Sequence, residues 1–312
     1  MVRSAGASTT VRAVDVKGTR YRIEHRTTYR YSQPMSDGYT VAVLTARETP
    51  FQRVLHAAVT VHPEPDERDE HDDLFGNRVT FVGVHRPHDE LTVLATSEVH
   101  VVEPPEFGAG PAWEDVVAAT TQLRGIAALE VGPFVGSSRF VTLADLREQL
   151  LALARPSFPP GRPVVEALGD LCRELHAGFE FDPTFSEVAT PLRDVLESRR
   201  GVCQDFAHLA VGALRSLGLA CRYVSGYIET DAPPGRARLA GADASHAWVS
   251  AWVPSIGWVD FDPTNGALPV HRHIVTAWGR DYGDVIPVRG VVIGPAAEQR
   301  LDVGVDVVAL RG

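Results

Sequence analysis

The sequence contains little cysteine: three residues in a chain of 312, at Cys172, Cys203 and Cys221. So few thiols cannot form the dense disulfide framework of small secreted domains, and they fit a reducing cytoplasm. The cysteines and histidines also lack the spacing of a metal site, and the isolated pair His271 and His273 is interpreted as solvent-exposed. The sequence therefore predicts a cytoplasmic protein without a metal or another cofactor.

Long apolar stretches and clusters of positive charge are absent as well. No segment approaches the ~20 consecutive apolar residues that span a bilayer. The first ten residues lack the apolar core of ~7–15 residues found in secretory signals. The formal net charge is -10, with no run of Lys or Arg, which argues against nucleic acid and anionic membranes as partners. These features leave the oligomeric state open.

The overall composition is that of a globular protein, since 44% of the residues are hydrophobic and 22% are charged. Residues 1–19 are small and polar and are predicted to form a flexible tail. Residues 20–103 contain several short alternating segments, separated by turn residues and without an amphipathic helix between them. This pattern predicts an N-terminal antiparallel β-sandwich domain.

Residues 104–115 are rich in Pro and Gly and are predicted to link this domain to a second one at residues 116–312. In the second domain, apolar residues recur with helical period at 164–176, and later segments alternate as strands do. Cys172 lies on the apolar face of a predicted helix and Cys221 lies in a predicted strand, so both are interpreted as core residues. The predicted fold class is α+β, with an antiparallel sheet in the second domain.

Cys203 has a different setting, because it stands at the start of a helical pattern, directly after Gly201 and Val202. One face of that helix collects the apolar side chains, namely Cys203, Phe206, Ala207, Ala210, Val211, Leu214 and Leu217. A cysteine at a helix N-terminus has its sulfur at the positive end of the helix dipole, which favours the nucleophilic thiolate. Taken alone, a cysteine on an apolar helix face is more often a core residue.

His246 and Asp262 are the candidate base and orienting acid, on two strands joined by a turn near Gly257. If Val253 paired with Trp258, Asp262 would face away from His246. A three-residue loop or a bulge at Gly257 would place both side chains on one face, so the catalytic interpretation requires it. Each residue alone is explained by packing or by a turn, but their combination with a cysteine at a helix start indicates a catalytic site.

These motifs closely resemble the transglutaminase-like superfamily of papain-like cysteine enzymes, and its bacterial branch in particular. The resemblance rests on Arg-Arg-Gly-Val-Cys-Gln-Asp-Phe-Ala-His-Leu at 199–209, Ser-His-Ala-Trp-Val at 245–249 and Gly-Trp-Val-Asp-Phe-Asp-Pro-Thr at 257–264. The N-terminal β domain of that branch is resembled through Tyr-Arg-Tyr-Ser-Gln-Pro at 29–34 and Asp-Leu-Phe-Gly-Asn at 73–77. The resemblance implies a β-sandwich followed by a papain-like, transglutaminase-like α+β core.

The resemblance also implies Cys203 as nucleophile, His246 as base and Asp262 as orienting acid. The implied chemistry is acyl transfer on amide bonds through a thioester on Cys203, with amidase-type or peptidase-type hydrolysis as the preferred outcome. A transglutaminase-type amine acyltransferase and a non-catalytic binding module on the same fold are the alternatives. The expected partner is a peptide, a protein or a small amide substrate.

Further residues near the predicted nucleophile and base are candidates for substrate contact: Gln204, Trp248, Trp252 and Trp258. The three tryptophans either line the site or pack in the core, and the sequence leaves both interpretations open. The Pro- and Gly-containing loop at 230–241 is a candidate wall of the site. Asp260 is a rival to Asp262 as the orienting acid, because both lie on the same face of one predicted strand.

Overall fold

The computed structural model describes residues 18–185, 190–229, 245–254, 256–268, 270, 272–295 and 298–310. Residues 1–17 of the predicted tail and the predicted loop at 230–241 lie outside the described residues. The first strand already begins at Gly18, so the last two residues of the predicted tail belong to a sheet. No helix in the described part of the chain is both long enough and apolar enough to cross a bilayer.

The N-terminal domain is an antiparallel β-sandwich, as the sequence predicts. Its first strands are β1 (Gly18–Met35), β2 (Asp37–Ala42), β3 (Gln52–His62), β4 (Glu67–Asp72), β5 (Arg78–Val84) and β6 (His88–Val102). Buried residues from both sheets share one core, in which Val82 and Val84 of β5 meet Leu91 and Val93 of β6. Burial alternates along β6, because successive side chains of a strand point to opposite faces of its sheet.

The last two strands of the chain complete the N-terminal domain. These strands, β13 (Val288–Ile293) and β14 (Gln299–Leu310), pair antiparallel with β2 and β1 respectively. The resulting sheets have the orders β14-β1-β6-β3 and β13-β2-β5-β4. The sequence predicts that residues 116–312 all belong to the second domain, but β13 and β14 lie in the sheets of the N-terminal domain. The sequence misses this because local alternation predicts a strand without predicting its partner, which here lies near the other end of the described chain.

In chain order, the helices follow β6 and precede β13, so they lie between the first and the last strands of the sandwich. They are α1 (Trp113–Gln122), α2 (Gly125–Val131), α3 (Arg147–Ala154), α4 (Val164–Gly178), α5 (Leu192–Ser198) and α6 (Cys203–Leu217). A 3₁₀ turn follows α2 at Gly132–Phe134, and another lies at Tyr282–Asp284. Since α1 begins at Trp113, the linker ends before its predicted limit at residue 115.

A second antiparallel sheet packs on α6 and forms the α+β core that the sequence predicts. Its strands are β9 (Cys221–Ile228), β10 (Ser245–Val253), β11 (Gly257–Phe261) and β12 (His273–Gly279), in the order β11-β10-β9-β12. The short strands β7 (Glu180–Phe181) and β8 (Arg200–Gly201) form a parallel pair directly before α6. Side chains of α6 such as Phe206 and Leu214 share a core with Val249 and Phe261 of the sheet. Cys172 and Cys221 are both buried, in agreement with their interpretation as core residues.

Two side-chain amides of the N-terminal domain bind the outer edge of β12. Gln52 donates from Nε2 to the Val275 carbonyl (2.8 Å) and accepts from the Val275 N–H at Oε1 (2.9 Å). Asn77 donates to the Trp278 carbonyl (2.8 Å) and accepts from its N–H (2.9 Å). These amides replace the hydrogen bonds that a further strand would make, so the second sheet depends on the N-terminal domain for a satisfied edge.

Candidate active site

Cys203 is the first residue of α6, and its backbone position is fixed from both sides. The preceding Val202 is extended (φ −105°), and its N–H donates to Asp205 Oδ2 at 2.8 Å. A Cβ added to Gly201 would lie 2.7 Å from Asp205, so only glycine leaves room for the carboxylate to fold back. The half-buried Cys203 therefore sits where the unpaired N–H groups of the first helical turn concentrate positive potential.

The β10–β11 hairpin brings Asp262 to the same side as His246. Val253 pairs with Gly257, and Trp252 pairs with Trp258, so a three-residue turn connects the strands. Gly257 has φ +94°, a conformation that other residues rarely adopt. The catalytic interpretation requires this register, because it places Asp262 and His246 on one face of the sheet. The alternative register, which pairs Val253 with Trp258, does not form.

A short hydrogen bond joins the two side chains, with His246 Nε2 2.7 Å from Asp262 Oδ2. Burial by itself lowers the pKa of His246, but hydrogen bonds with Asp262 and with the Cys203 side chain outweigh burial and raise this pKa to about 10. Since Asp262 occupies Nε2, the other ring nitrogen is the one left for the sulfur. The structure thus connects Cys203, His246 and Asp262 in one row.

Asp262 is fully buried and stays charged because donors surround both of its oxygens. Oδ1 accepts from the backbone N–H groups of Thr264 (2.9 Å) and Asn265 (3.2 Å). Oδ2 accepts from the Asn265 side chain (2.6 Å) and from His273 Nε2 (3.0 Å), in addition to His246. Burial by itself raises the pKa of Asp262, but the hydrogen bonds from His246 and His273 hold it well below its usual range.

His273 corrects one interpretation of the sequence. The sequence predicts that His273 is solvent-exposed together with His271, but His273 is only 6% exposed and donates to Asp262; His271 lies outside the described residues. The contact arises because β12 pairs with β9 on the side opposite β10, so that His273 and His246 flank the same carboxylate. An Asp-binding role for His273 has no local signal in the sequence, since it depends on the order of strands in the sheet.

The same three side chains form the one cluster in the described residues with the spacing of a metal site. One ligand atom each from His246, Asp262 and His273 lie within 4.8 Å of one another. Hydrogen bonds from both imidazoles to Asp262 Oδ2 already explain this spacing. The absence of a metal cofactor stays a prediction from the sequence.

The rival acid Asp260 has a different hydrogen-bond partner. It accepts from Trp248 Nε1 at 3.1 Å, and the Trp248 ring in turn stacks on His246, with 6.1 Å between ring centroids. Trp248 has no exposed surface, so its contact is with the imidazole and not with solvent. Asp262, and not Asp260, is therefore the carboxylate that reaches His246.

The other candidate substrate contacts differ in their surroundings. Gln204 is half-buried in the first turn of α6, beside Cys203. Trp252 and Trp258 are partly buried and pack with Phe134, where the rings of Phe134 and Trp258 are 5.3 Å apart, and Trp252 also packs against the core that Cys203 borders. A role of these residues in substrate binding stays a prediction.

Comparisons with known proteins agree with both halves of this architecture. Residues 21–100 match the bacterial transglutaminase-like N-terminal region, and residues 153–263 match the transglutaminase-like superfamily core. An uncharacterised protein of Mycobacterium tuberculosis (strain ATCC 25618 / H37Rv) is 39% identical over 310 residues, which cover 96% of each chain. An uncharacterised protein of Mycobacterium leprae is 32% identical over 296 residues, covering 93% of this chain and 99% of the relative.

Two further comparisons concern named activities. A protein-glutamine gamma-glutamyltransferase of Pseudomonas aeruginosa is 31% identical over 128 residues, which cover 35% of this chain and 19% of that enzyme. A crystal structure of a candidate cysteine protease from Cytophaga hutchinsonii has the same fold, with a TM-score of 0.73 at 20% identity over 95% of this chain and 92% of that one. The chain therefore belongs to the transglutaminase-like superfamily of papain-like cysteine proteins, in the bacterial branch that carries an N-terminal β domain.

Proposed function

We propose that the protein is a cysteine-dependent enzyme that hydrolyses amide bonds through a thioester on Cys203. The observation that carries the proposal is the row in which Cys203, at a helix start, adjoins His246, and His246 in turn binds the buried Asp262. A thiol, an imidazole and an orienting carboxylate in sequence are the groups that nucleophilic acyl transfer needs. The expected substrate is a peptide, a protein or a small amide, and the three free cysteines fit a reducing cytoplasm.

In the first half of the reaction, the Cys203 thiolate adds to the amide carbonyl carbon and forms a tetrahedral intermediate. Backbone N–H groups at the start of α6, including that of Cys203, stabilise its oxyanion. The protonated His246 gives its proton to the amide nitrogen as the C–N bond breaks, so the amine leaves neutral and the acyl group stays on sulfur. The raised pKa of His246 supports this role, because the imidazole carries the required proton at neutral pH.

In the second half, the now neutral His246 takes a proton from water as the water oxygen attacks the thioester. The acid product then leaves, and the thiolate–imidazolium pair is restored. Asp262 takes no proton in this cycle; it holds the imidazole in one orientation and stabilises the positive charge. The Asn265 side chain and His273 keep Asp262 in place through their own hydrogen bonds to Oδ2.

A second function, acyl transfer to an amine instead of water, is favoured by one observation. The stretch of 128 residues that matches the Pseudomonas aeruginosa protein-glutamine gamma-glutamyltransferase supports this alternative, although it covers only 35% of the chain. Both functions share the thioester and differ in the acceptor that reaches it. We place hydrolysis first because transamidation also requires that water be kept from the thioester and that an amine be bound.

The experiment is a screen of an amide library for amine release, with Cys203→Ala as the inactive variant and Cys221→Ala as the matched cysteine control. Mass spectrometry of the protein quenched during turnover should show the acyl adduct on Cys203. Chasing that adduct with water or with a primary amine separates hydrolysis from transamidation. If Cys203→Ala releases amine as fast as the unmodified protein, the proposed function is wrong; if no adduct and no release occur with any amide of the library, the result contradicts amide hydrolysis and favours the binding-module alternative.

A further inference from the structure

A large cavity lies between the second sheet and the N-terminal domain. Its volume is about 1090 Å³, and Cys203, His246 and Asp262 are not among its lining residues. The lining includes Arg47 from the N-terminal domain, and Arg222, Trp258 and Trp278 from the second sheet. The cavity therefore stands apart from the candidate nucleophile and needs an explanation of its own.

One wall of the cavity is a stack of alternating indole and guanidinium groups. The Arg222 guanidinium carbon lies 4.3 Å from the ring centroid of Trp258 and 3.7 Å from that of Trp278. Arg47 covers the Trp278 ring at 3.2 Å. The aromatic faces attract the two cations and hold their planes in a fixed direction. Nη1 of Arg47 already donates to the Phe75 carbonyl and to Asn77 Oδ1, so the donors left for an anion are those of Arg222 and the Nε of Arg47.

Among the described residues, Arg222 is a buried cation that forms no ion pair, although Asp260 also lines the cavity. It is only 8% exposed, and its Nε, like that of Arg47, has no hydrogen-bond partner among the residues that the structure describes. Burial lowers the pKa of Arg222 to about 9, against the opposing influence of Asp260. Asp260 in turn accepts a hydrogen bond from Trp248, which fixes its carboxylate. Such a desolvated guanidinium gains more from an added anion than an exposed one would.

Acidic side chains also line the cavity, namely Glu103, Glu130, Glu229 and Asp260. Glu103 and Glu130 are solvent-exposed, so solvent and salt screen their repulsion of a ligand far more than they screen Arg222. Glu229 lies 3.9 Å from the Arg272 guanidinium, and Asp260 accepts a hydrogen bond from Trp248. Phe134 and Ile256 add apolar surface. A ligand with one anionic end and an apolar body fits this lining, whereas a polyanion would be repelled by more of the acidic side chains.

We propose that this cavity binds a monocarboxylate with an apolar or aromatic body, whose carboxylate pairs with Arg222 and Arg47. A planar carboxylate matches the planar fork of a guanidinium, and the indole faces and Phe134 contact the body. The site is distinct from Cys203, so its occupation does not depend on the reaction proposed there. His273, which lines the cavity and donates to Asp262, is the nearest link between the two sites.

The test is isothermal titration of the full-length protein with 4-phenylbutyrate, and with 4-phenylbutanamide as its uncharged match. We expect one saturable site for the acid and affinity at least about tenfold weaker for the amide, because the amide cannot replace the charged hydrogen bonds. Inorganic phosphate should bind more weakly than the acid, since it lacks the apolar body. Equal binding of acid and amide, tighter binding of phosphate, or no saturable binding of the acid would overturn the proposal.

Two variants assign the binding to Arg222. Arg222→Gln should weaken 4-phenylbutyrate binding about tenfold or more, whereas Arg53→Gln, an exposed arginine outside the cavity lining, should leave it unchanged. Arg222→Lys keeps the charge without the planar fork and should give intermediate affinity, which also covers the case in which circular dichroism shows Arg222→Gln to be unfolded. Unchanged affinity in either folded Arg222 variant contradicts the assignment.

A final measurement separates this cavity from the candidate active site. Protein whose Cys203 has been alkylated with iodoacetamide should bind 4-phenylbutyrate with unchanged affinity, because Cys203 does not line the cavity. Loss of binding on alkylation would place the ligand at Cys203 and overturn the proposal. These measurements report binding and not turnover, so failure of the proposed amide hydrolysis would leave their outcome unaffected.

Discussion

Asp262 is the residue on which the polar contacts of the candidate site converge. Two imidazoles, one side-chain amide and two backbone N–H groups donate to its oxygens, and no part of it is exposed. A carboxylate held in this way can only act through its partners. At the residue scale, the proposed function assigns Cys203 as the reactive sulfur, His246 as the base that moves a proton, and Asp262 as the acid that stays fixed.

Replacing Asp262 with Asn should separate catalysis from folding. The amide has nearly the same shape, but it cannot stabilise the His246 imidazolium, so the rate of amide hydrolysis should fall by about 10²–10⁴-fold. Asp260→Asn is the matched control, because Asp260 binds Trp248 and not His246. Kinetics and circular dichroism of both variants test this, and loss of activity in Asp260→Asn alone would mean that the wrong carboxylate has been assigned.

Cys203 should react with iodoacetamide well before Cys172 and Cys221. Burial raises the pKa of each of the latter two thiols to about 12, and neither is accessible, whereas Cys203 is half-buried beside His246. Peptide mass spectrometry after timed labelling at neutral pH gives the three rates. His246→Ala should slow labelling of Cys203 only, and equal rates at all three cysteines would contradict the assignment of the nucleophile.

The protonation state of His246 provides an independent test. Because hydrogen bonds to Asp262 and Cys203 raise its pKa to about 10, the imidazolium should persist at pH 8 and lose its proton only near pH 10. ¹⁵N NMR of histidine-labelled protein reports this directly. His25 and His208 are internal controls, since burial lowers both pKa values to about 4 and both rings should be neutral at pH 6.

The raised pKa of His246 also makes the stability of the folded protein depend on pH. The pKa of His246 in the folded protein lies above the unfolded value of about 6.5, so the folded state binds this proton more tightly. The stabilisation is complete below about pH 6.5 and declines as the pH rises towards 10. A His246 resonance that titrates near pH 6.5 would show that the imidazolium is not stabilised by the row of contacts.

At the scale of secondary-structure elements, two features position these residues. The β10–β11 turn sets the register, since Gly257 at φ +94° lets Val253 and Gly257 close a three-residue turn. The other feature is the edge of β12, whose backbone groups are bound by Gln52 and Asn77. Because β12 also carries His273, anything that loosens this edge also disturbs the contact with Asp262.

Gln52→Ala should therefore destabilise the second sheet. It leaves the Val275 N–H without its acceptor, which typically costs about 1–3 kcal/mol for a buried unsatisfied group, while the Val275 carbonyl keeps a hydrogen bond from the Arg47 N–H (3.2 Å). Gln33→Ala, at an exposed glutamine of β1, is the matched control and should change the free energy of unfolding by less than about 0.5 kcal/mol. Urea unfolding followed by circular dichroism measures both, and equal free energies for the two variants would refute a role for Gln52 at the sheet edge.

At the scale of the whole molecule, the chain leaves the N-terminal domain, builds the α+β core and then returns. β13 and β14 complete the sheets begun by β2 and β1, so the first and last described strands lie in one domain. The α+β core is thus inserted into the sandwich rather than appended to it. The two units are also joined through the side chains that bind β12.

This arrangement predicts that the core does not fold when the N-terminal strands are removed. A chain shortened to residues 104–312 keeps β13 and β14 but loses their partners and the amides that bind β12, which leaves long unpaired strands. Its thermal unfolding, followed by circular dichroism, should lack a cooperative transition. A chain shortened to residues 18–312 retains every described strand and should unfold cooperatively; cooperative unfolding of the 104–312 chain would show that the core is autonomous.

The sequence by itself determined the features that are local. Alternation predicted the β-sandwich, the helical period predicted α6 with Cys203 at its start, and the motifs around Cys203, His246 and Asp262 indicated the superfamily. Such features depend on neighbours within a few residues, where side-chain direction follows from the backbone period. The sequence allowed two registers of the β10–β11 hairpin to be named, because they differ by one residue. It did not allow a choice between them.

Only the tertiary structure decided the features that depend on strand order. His273 reaches Asp262 because β12 pairs with β9, and the last strands join the first because β14 pairs with β1. The Arg47 and Arg222 stack likewise combines residues from two domains. Such contacts join residues that are distant in the chain and arise from the shared burial of apolar faces. An apolar face shows that a strand must pair and pack, but it does not determine which strand becomes its neighbour.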